Sequence, residues 1–179
     1  MSSDNKSDDE SVSVLHDQDC PVCREKKATM TEIEQDVPFF GKTFIFSIRC
    51  SACGYKKSDV ESAEKRPPAK LSFTVEKTDD LKVRVVKSSG ATVKFGRLGS
   101  IESGETSDGY VTNIEGLLER FKKVVENYRD AEEDDETRKK AKNTIKRLQN
   151  ALWGHEPLQI IIDDPSGNSA IISEKTTKK

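Results

Sequence analysis

The sequence lacks long apolar segments and lacks an excess of charge of either sign. Its runs of consecutive apolar residues do not exceed three, as at Ile160 to Ile162, which is far too short to cross a bilayer. The first residues also lack the basic start and apolar stretch of a secretory signal. The formal net charge is -2, which gives no field to hold nucleic acid or an acidic membrane. We therefore expect a cytoplasmic protein that recognises a partner through a local surface.

Hydrophobic residues are scarce, at 33% of the 179 residues, whereas charged residues make up 35%. This composition is polar for a globular chain. The two ends account for part of it, because residues 1–13 are mostly Ser, Asp, Asn, Glu and Lys, and residues 174–179 are mostly Lys and Thr. We predict a disordered acidic, Ser-rich tail at 1–13 and a disordered basic tail at 174–179. The remaining length allows one ordinary domain and a small satellite.

Recognisable catalytic motifs are also missing from the sequence. It contains no P-loop, no G-x-S-x-G nucleophile elbow and no H-E-x-x-H helix, and neither His16 nor His155 lies in a catalytic pattern. An enzyme would have to use Glu115, Asp163 and Asp164 as acid or base groups in a cup of the β domain. We rank this hypothesis last and expect a protein that is not an enzyme.

The four cysteines form two C-x-x-C knuckles separated by 26 residues, Cys20 with Cys23 and Cys50 with Cys53. Two intervening residues let both sulfurs of a knuckle reach one ion, and two knuckles complete a tetrahedral shell. The sequence predicts one structural Zn²⁺, because four thiolates leave no open position for water. A redox pair is the alternative, but a redox C-x-x-C opens a helix and neither knuckle does. Neither histidine is needed as a ligand.

Strand patterns between the knuckles predict a four-cysteine zinc ribbon over residues 14–66. Thr31–Glu34 and Thr43–Ile48 read as strands, joined by Val37–Gly41. Phe39 and Phe40 lie in this turn-rich connection, where large apolar side chains either pack on the neighbouring domain or contact a partner. Both interpretations remain open from the residues alone.

Residues 67–173 predict an antiparallel β domain with a helical hairpin at about 112–153. The boundary follows from Pro67-Pro68, which interrupts strand pairing. Short alternating runs separated by turn residues indicate the strands: Leu71–Val75, Leu81–Val86, Ala91–Phe95, Leu158–Ile162 and Ala170–Ile172. Thr112 can cap the first helix with Glu115 completing a capping box, and an acidic break at Glu132–Asp135 suits the start of the second.

The apolar residues of the first helix form one stripe. Its members are Ile114, Leu117, Leu118, Phe121, Val124, Val125 and Tyr128. The segment that joins the last two predicted strands, Asp163–Ser169, is unusually dense in turn residues. A structural turn explains every residue in it, and a functional loop is the alternative interpretation.

Several motifs together resemble a known family, the ZPR zinc-finger proteins. They are Cys20-Pro21-Val22-Cys23, Val37-Pro38-Phe39-Phe40-Gly41, Cys50-Ser51-Ala52-Cys53-Gly54-Tyr55, Asp80-Leu81, Val85-Val86-Lys87-Ser88, Ile114-Glu115-Gly116-Leu117-Leu118 and Asp163-Asp164-Pro165-Ser166-Gly167-Asn168-Ser169. One departure is Asn113, where the family pattern has a second hydroxyl residue before the Ile-Glu-Gly run. With one cysteine set and one copy of each later motif, the chain resembles the single-module, archaeal-type form.

The resemblance implies a mainly β fold with an α insertion. The zinc ribbon is followed by a double-stranded β-helix, or jelly-roll-like, domain that carries the helical hairpin. It also implies a protein that binds translation elongation factor 1-alpha or assists its folding. We expect a monomer. The candidate partner-contact residues are Phe39, Phe40, Thr112, Glu115, Asp163, Asp164, Pro165, Gly167 and Asn168.

The alternative function is a nucleic-acid-associated zinc ribbon of the transcription type, since many ribbons of this spacing serve there. Charge disfavours it. Residues 17–66 contain nine Lys or Arg and nine Asp or Glu, so the ribbon is neutral. Binding to phosphates requires clustered cations.

Overall fold

The computed structural model describes residues 11–37, 41–63, 66–104 and 107–179, and these residues form two β modules and two helices. The strands are β1 Ser11–Asp19, β2 Lys26–Val37, β3 Gly41–Cys50, β4 Lys56–Ser62, β5 Ala69–Val75, β6 Arg84–Lys87, β7 Thr92–Phe95, β8 Ser100–Ile101, β9 Tyr110–Asn113, β10 Leu158–Asp164, β11 Ala170–Ile171 and β12 Thr177–Lys178. The helices are α1 Ile114–Ala131 and α2 Asp135–Leu152. A 3-10 turn at Thr78–Lys82 precedes β6.

The first module is an antiparallel sheet with strand order β1-β2-β3-β4. Its strand β1 begins at Ser11, inside the segment 1–13 that the sequence predicts to be disordered. Backbone pairing of Ser11 with Glu34 and of Val12 with Ile33 extends the strand to this point. The difference arises because ladder hydrogen bonds depend on the backbone and tolerate polar side chains. Composition alone therefore placed the start of the ribbon three residues too late.

The second module consists of two facing sheets, with orders β12-β5-β10-β7-β8 and β11-β6-β9. Strand β10 lies between β5 and β7, and its Ile160 pairs with both Phe73 and Phe95. Alternate residues of β5 and β10 are buried, as expected for strands with one face on a core. This arrangement, with a helical hairpin between β9 and β10, confirms the predicted jelly-roll-like fold.

Helix α1 starts one residue later than the predicted capping box requires. Thr112 still belongs to β9, where it pairs with Val85. The N-cap is Asn113, whose side-chain oxygen accepts a hydrogen bond from Gly116 N at 2.8 Å. Glu115 is exposed in the first turn and takes no part in the cap. The prediction that Thr112 caps this helix is wrong: Asn113, the last residue of β9, has the extended backbone of an N-cap and supplies the acceptor.

The predicted apolar stripe of α1 is only partly buried. Ile114, Leu117, Leu118 and Phe121 lie in the core, and Phe121 stacks on Phe95 with ring centroids 4.2 Å apart. Farther along, Val124 and Tyr128 are 51% and 54% exposed, because the hairpin extends beyond the sheet that covers its base. Helix α2 begins with Asp134 as its N-cap, in the predicted acidic break. Among the described residues, no helix is long and apolar enough to cross a membrane.

The two modules pack against each other through one face of the ribbon. Val37 and Val60 of the ribbon are fully buried against Val86 of the β domain, with Ile45 and Val111 beside them. Since side chains alternate along a strand, the opposite face of the ribbon points away from the β domain.

The last residues, predicted as a disordered tail at 174–179, hold a short strand instead. Strand β12 pairs with β5, and Lys70 and Lys179 exchange two backbone hydrogen bonds of 3.1 and 2.9 Å. Lys175 Nζ lies 2.9 Å from Asp80 Oδ2 and 2.8 Å from Glu76 Oε2. The same Asp80 oxygen accepts the N–H groups of Glu76 and Lys77. A basic segment that reads as a free tail is thus anchored by a buried carboxylate.

We expect the attachment of this segment to weaken selectively in acid. Burial acts to raise the pKa of Asp80, but the Glu76 N–H and the Lys175 ammonium outweigh it and hold the pKa below its ordinary value. A carboxyl group with a depressed folded pKa stabilises the fold above its unfolded pKa, about 3.9, and this contribution is lost as pH falls through the folded value. Hydrogen exchange of residues 173–179 should therefore accelerate below about pH 4.

The Asp80→Asn variant tests whether protonation of the Asp80 carboxylate causes the acid sensitivity. Asp79→Asn, at the exposed neighbouring position, is the control. Asp80→Asn should already exchange faster at neutral pH and should lose most of the acid dependence. Asp79→Asn should keep the behaviour of the parent protein. An unchanged pH profile in Asp80→Asn would assign the acid sensitivity to another group.

Candidate metal centre

Each cysteine pair lies in a tight backbone turn that follows a strand of the ribbon. In the first turn Arg24 N donates to Cys20 O at 2.9 Å, and in the second Gly54 N donates to Cys50 O at 3.1 Å. Arg24 and Gly54 occupy equivalent places and both have positive φ, 63° and 74°. Glycine adopts this conformation without strain, whereas arginine carries a cost of about 1 kcal/mol. The two knuckles therefore have the same shape despite their different sequences.

Pairing of β2 with β3 brings the two knuckles together, since Ala28 lies opposite Cys50 at the end of the long hairpin. The Sγ atoms of Cys20 and Cys53 are 3.7 Å apart, as are those of Cys23 and Cys50, and all four sulfurs lie within 4.8 Å of one another. A tetrahedral Zn²⁺ with Zn–S of about 2.3 Å requires sulfurs about 3.8 Å apart. The geometry fits one zinc ion with four sulfur ligands.

The polar surroundings of the sulfurs differ between the cysteines. The backbone N–H of Cys23 is the main cause that lowers the pKa of Cys20 to about 6. For Cys23 a backbone hydrogen bond from Glu25 acts to lower the pKa, but burial and the three neighbouring thiols raise it to about 12. Because the four sulfurs are so close, repulsion disfavours the ionisation of several thiols at once. A bound divalent cation offsets this repulsion and allows all four to be thiolates.

Neither histidine belongs to this cluster. His16 Nδ1 lies 3.4 Å from the Thr29 hydroxyl, and the ring of His155 lies 5.9 Å from that of Trp153. Within the described part of the chain, the four cysteines are the one group of His, Cys, Asp or Glu side chains placed to hold a metal ion.

The predicted turn Asp163–Ser169 lies at the junction of the two modules, and its residues point in different directions. Asp164 and Ser169 are buried, and Asp164 Oδ1 accepts hydrogen bonds from Ser166 N and Oγ at 2.8 and 2.7 Å. Asp163 and Pro165 instead line a shallow surface cavity beside Lys94. Of the two aspartates, only Asp163 is positioned to contact a partner.

Gly167 and Asn168 contact the linker and the ribbon. Gly167 has φ +71°, and a Cβ atom there would lie 2.3 Å from Pro67 O, so the turn requires glycine. Asn168 Oδ1 accepts a hydrogen bond from Ser62 N at 3.2 Å. These two side-chain positions therefore fix how the modules meet.

The remaining candidate partner-contact residues differ in exposure, and two of them are not described by the structure. Thr112 is half-buried, and its hydroxyl packs against Gly116, whereas Glu115 is exposed. Phe39 and Phe40 lie outside the described residues. Glu115 and the Asp163–Ser169 turn do not form one site. Glu115 lies at the start of α1, whereas the turn contacts the linker and the ribbon.

Sequence analysis missed a second set of junction residues. Asp59 of β4 accepts hydrogen bonds from Ser89 N and Oγ, and Ser58 N donates to Asp108 Oδ1 at 2.8 Å. Lys87 is buried beside them, and its Nζ donates to Ser88 O at 2.9 Å. Burial lowers the pKa of Lys87, against the opposing effect of Asp59, Asp164 and Asp108. Partners 30 to 50 residues apart leave no local sequence signal.

A four-cysteine zinc ribbon packed on a jelly-roll domain with a helical hairpin defines the class of this protein as a single-module zinc-finger protein. Family models for the ZPR1 zinc-finger domain and the ZPR1 jelly-roll domain match residues 12–68 and 79–179. The chain belongs to the ZPR1 family. The predicted cofactor, one structural zinc ion, is confirmed for this family's zinc-finger domain with its four cysteines in place.

Relatives of known sequence place the chain within this family. A ZPR1-like protein of Pyrococcus horikoshii is 37% identical over 167 residues, covering 90% of this chain and 74% of the relative. One of Methanocaldococcus jannaschii is 36% identical over 158 residues, covering 87% and 80%. The zinc finger chaperone zpr1 of Schizosaccharomyces pombe is 31% identical over 162 residues, covering 85% of this chain but 33% of that protein. The resemblance to the single-module form is confirmed.

Proposed function

We propose that this protein is a non-catalytic, zinc-dependent binding protein of the cytoplasm that binds translation elongation factor 1-alpha and assists its folding. The observation that carries the proposal is membership of the ZPR1 family, in which the Schizosaccharomyces pombe relative is named a chaperone. The partner is the one that the family resemblance implies.

The metal centre supports a binding role. Four sulfurs occupy a tetrahedral zinc ion fully, so the ion has no position for a substrate or an activated water. Cys20 and Cys50 are each only 1% exposed, whereas Cys23 is half-buried and Cys53 is exposed, so the centre lies at the end of the ribbon with two of its four sulfurs buried. The zinc is then a device that fixes the shape of the ribbon, and the function lies in the surfaces that the ribbon and hairpin present.

Exposed apolar side chains also support a protein partner. The described residues include nine large hydrophobic side chains that are exposed, on β1 to β3, at the first knuckle and on the hairpin. Clusters of such side chains are typical of protein interaction sites. The nucleic-acid alternative gains less support, because residues 17–66 hold equal numbers of basic and acidic side chains and so offer no net excess of cations to phosphates.

The direct test uses zinc-loaded protein and the elongation factor 1-alpha of the same organism. We expect binding by calorimetry to the GDP form, the GTP form or the factor during refolding, and a higher yield of refolded factor. The metal-free Cys50→Ser variant should show neither effect, and an unrelated GTP-binding protein of similar size is the control client. Absence of binding in all three states, together with an unchanged refolding yield, would contradict the proposal.

A further inference from the structure

Among the described residues, the ribbon has one face that the β domain contacts only at its β4 edge, through Asp59. Val37, Ile45 and Val60 point toward the β domain, so their neighbours at alternate positions point away from it. Strand registers align these outward positions in three rows across the sheet. The rows are Leu15-Met30-Ile48-Lys57, Ser13-Glu32-Phe46-Asp59 and Ser11-Glu34-Phe44-Glu61, and Asp59 of the edge strand β4 is held by its hydrogen bonds to Ser89. We call this surface the outer face of the ribbon.

One end of the outer face is apolar. Leu15 is 55% exposed and Met30 is 42% exposed, and Ile48 lies beside Met30 on β3. Together with Phe46, which is 37% exposed, they line a shallow groove of about 330 Å³. Exposed apolar side chains that adjoin one another in this way favour an occupant with its own apolar side chain.

The other end combines aromatic rings with carboxylates. Phe44 and Phe46 lie 6.3 Å apart, and register places Glu34 and Glu61 on either side of Phe44 and Glu32 beside Phe46. Glu34 is paired with Lys42. Glu32 and Glu61 have no ion-pair or hydrogen-bond partner among the described residues. A ring next to a free carboxylate suits the side chain of lysine or arginine, because its stem packs on the ring while its charge meets the carboxylate.

The dimensions of the outer face limit the size of its occupant. From Met30 to Glu34 the strand advances about 13 Å, and four strands span about 14 Å across the sheet. This area matches one short segment of two helical turns or four to five extended residues. It is too small for a stable interface between two whole domains, which requires about 800 Å² on each side.

We propose that the outer face of the ribbon is the docking surface for a short amphipathic segment of a protein partner, in which an apolar anchor stands beside two basic side chains. The anchor enters the groove between Leu15, Met30 and Ile48. The basic side chains pack on Phe44 and Phe46 and pair with Glu32 and Glu61. This inference rests on the proposed function in taking the elongation factor as the protein that carries the segment.

The first experiment measures the affinity of the elongation factor for surface variants that keep their zinc and their circular dichroism spectrum. Phe46→Ala and the double variant Glu32→Lys with Glu61→Lys should each bind about tenfold more weakly. The matched controls, Trp153→Ala for an exposed aromatic residue and Glu102→Lys for an exposed acidic one, should stay within about twofold of the parent. Parental affinity in both surface variants would overturn the inference while leaving the proposed function intact.

The second experiment does not depend on the elongation factor. Two synthetic peptides, Arg-Ser-Leu-Ser-Arg and Glu-Ser-Leu-Ser-Glu, which present the leucine and both charged side chains on one face when extended, are titrated into ¹⁵N-labelled protein. The arginine peptide should shift the amide signals of Met30, Phe44, Phe46 and Ile48, and the glutamate peptide should not. Shifts elsewhere, or equal shifts with both peptides, would overturn the inference.

Sedimentation of the parent protein and of the Phe46→Ala variant tests whether another copy of the chain covers the outer face. Sedimentation of the parent protein should give a monomer at all concentrations. A dimer that Phe46→Ala dissociates would identify a second copy as the occupant and would overturn the assignment to a partner. If the factor fails to bind the parent protein while the arginine peptide binds the outer face, the proposed function is wrong and the docking surface stands.

Discussion

Replacing Cys50 with serine is expected to release the zinc ion and to unfold the half of the ribbon that contains the knuckles. Cys50 is buried, and its sulfur lies 3.7 Å from that of Cys23. Among the residues that the structure describes, the core around the knuckles has three buried apolar residues, Cys20, Ala28 and Cys50, with Cys23, Ile48 and Tyr55 partly buried. A core this small cannot hold two strands together, whereas structural zinc contributes about 10 to 16 kcal/mol in small zinc-finger domains.

The zinc content of the purified protein, measured by elemental analysis, should fall from one ion per chain to almost none. Hydrogen exchange should become fast in residues 19–30 and 47–57 and stay slow in β5 and β10, whose core is separate. Ser51→Ala, at the neighbouring position that does not bind metal, should keep its zinc and its protection. A Cys50→Ser protein that retains a full equivalent of zinc would disprove the four-sulfur site.

Replacing Asp164 with alanine is expected to give the second largest effect, a loss of about 2 to 4 kcal/mol in the free energy of unfolding. Asp164 is fully buried and holds the backbone and hydroxyl of Ser166. Burial acts to raise the pKa of Asp164, but the hydroxyl groups of Ser169 and Ser166 outweigh it, so the pKa is lowered. The carboxylate is therefore charged in the native protein, and its removal leaves the N–H and hydroxyl of Ser166 without their acceptor.

The melting temperature of Asp164→Ala should drop by about 5 to 15 °C in calorimetry. Its matched control is Asp163→Ala, one residue earlier on the same strand, where the side chain is partly exposed beside Lys94; there the change should be within about 1 kcal/mol. If both variants are equally stable, Asp164 does not hold the turn. If both variants lose the same amount, the effect belongs to the strand and not to the buried carboxylate.

The position of Asp164 also separates two interpretations that the sequence left open. The dense turn residues of Asp163–Ser169 favour a structural turn but also suit a functional loop, because both need the same backbone shapes. Burial of Asp164 and the contact of Gly167 with the linker show that most of this segment joins the two modules. Asp163 and Asp164 are adjacent on β10, so their side chains point in opposite directions. Which of the two is buried depends on β5 and β7, the strands that pair with β10, and both are far away in the sequence.

The start of α1 shows a similar limit. Both Thr112 and Asn113 are good N-cap residues, and the local sequence favoured Thr112 because Glu115 follows at the spacing of a capping box. Both residues also pair with β6, Thr112 with Val85 and Asn113 with Arg84, so the ladder does not separate them. Asn113 is the N-cap because it is the last residue of β9 and its side-chain oxygen lies 2.8 Å from Gly116 N. The same helix was correctly predicted as a helix because its apolar spacing is a local property. How much of the stripe is buried depended on where the sheet beneath it ends.

Strands β1, β4, β8, β9 and β12 had no counterpart in the sequence analysis. The sequence by itself determined the metal, its four ligands, both helices and the remaining strands. These follow from local chemistry, since C-x-x-C spacing sets sulfur reach and apolar periodicity sets strand or helix. Only the tertiary structure decided that residues 177–179 pair with β5, that Asp164 is buried, and which face of the ribbon remains largely uncovered. Each of these depends on contacts between residues distant in the chain, whose pairing no local pattern records.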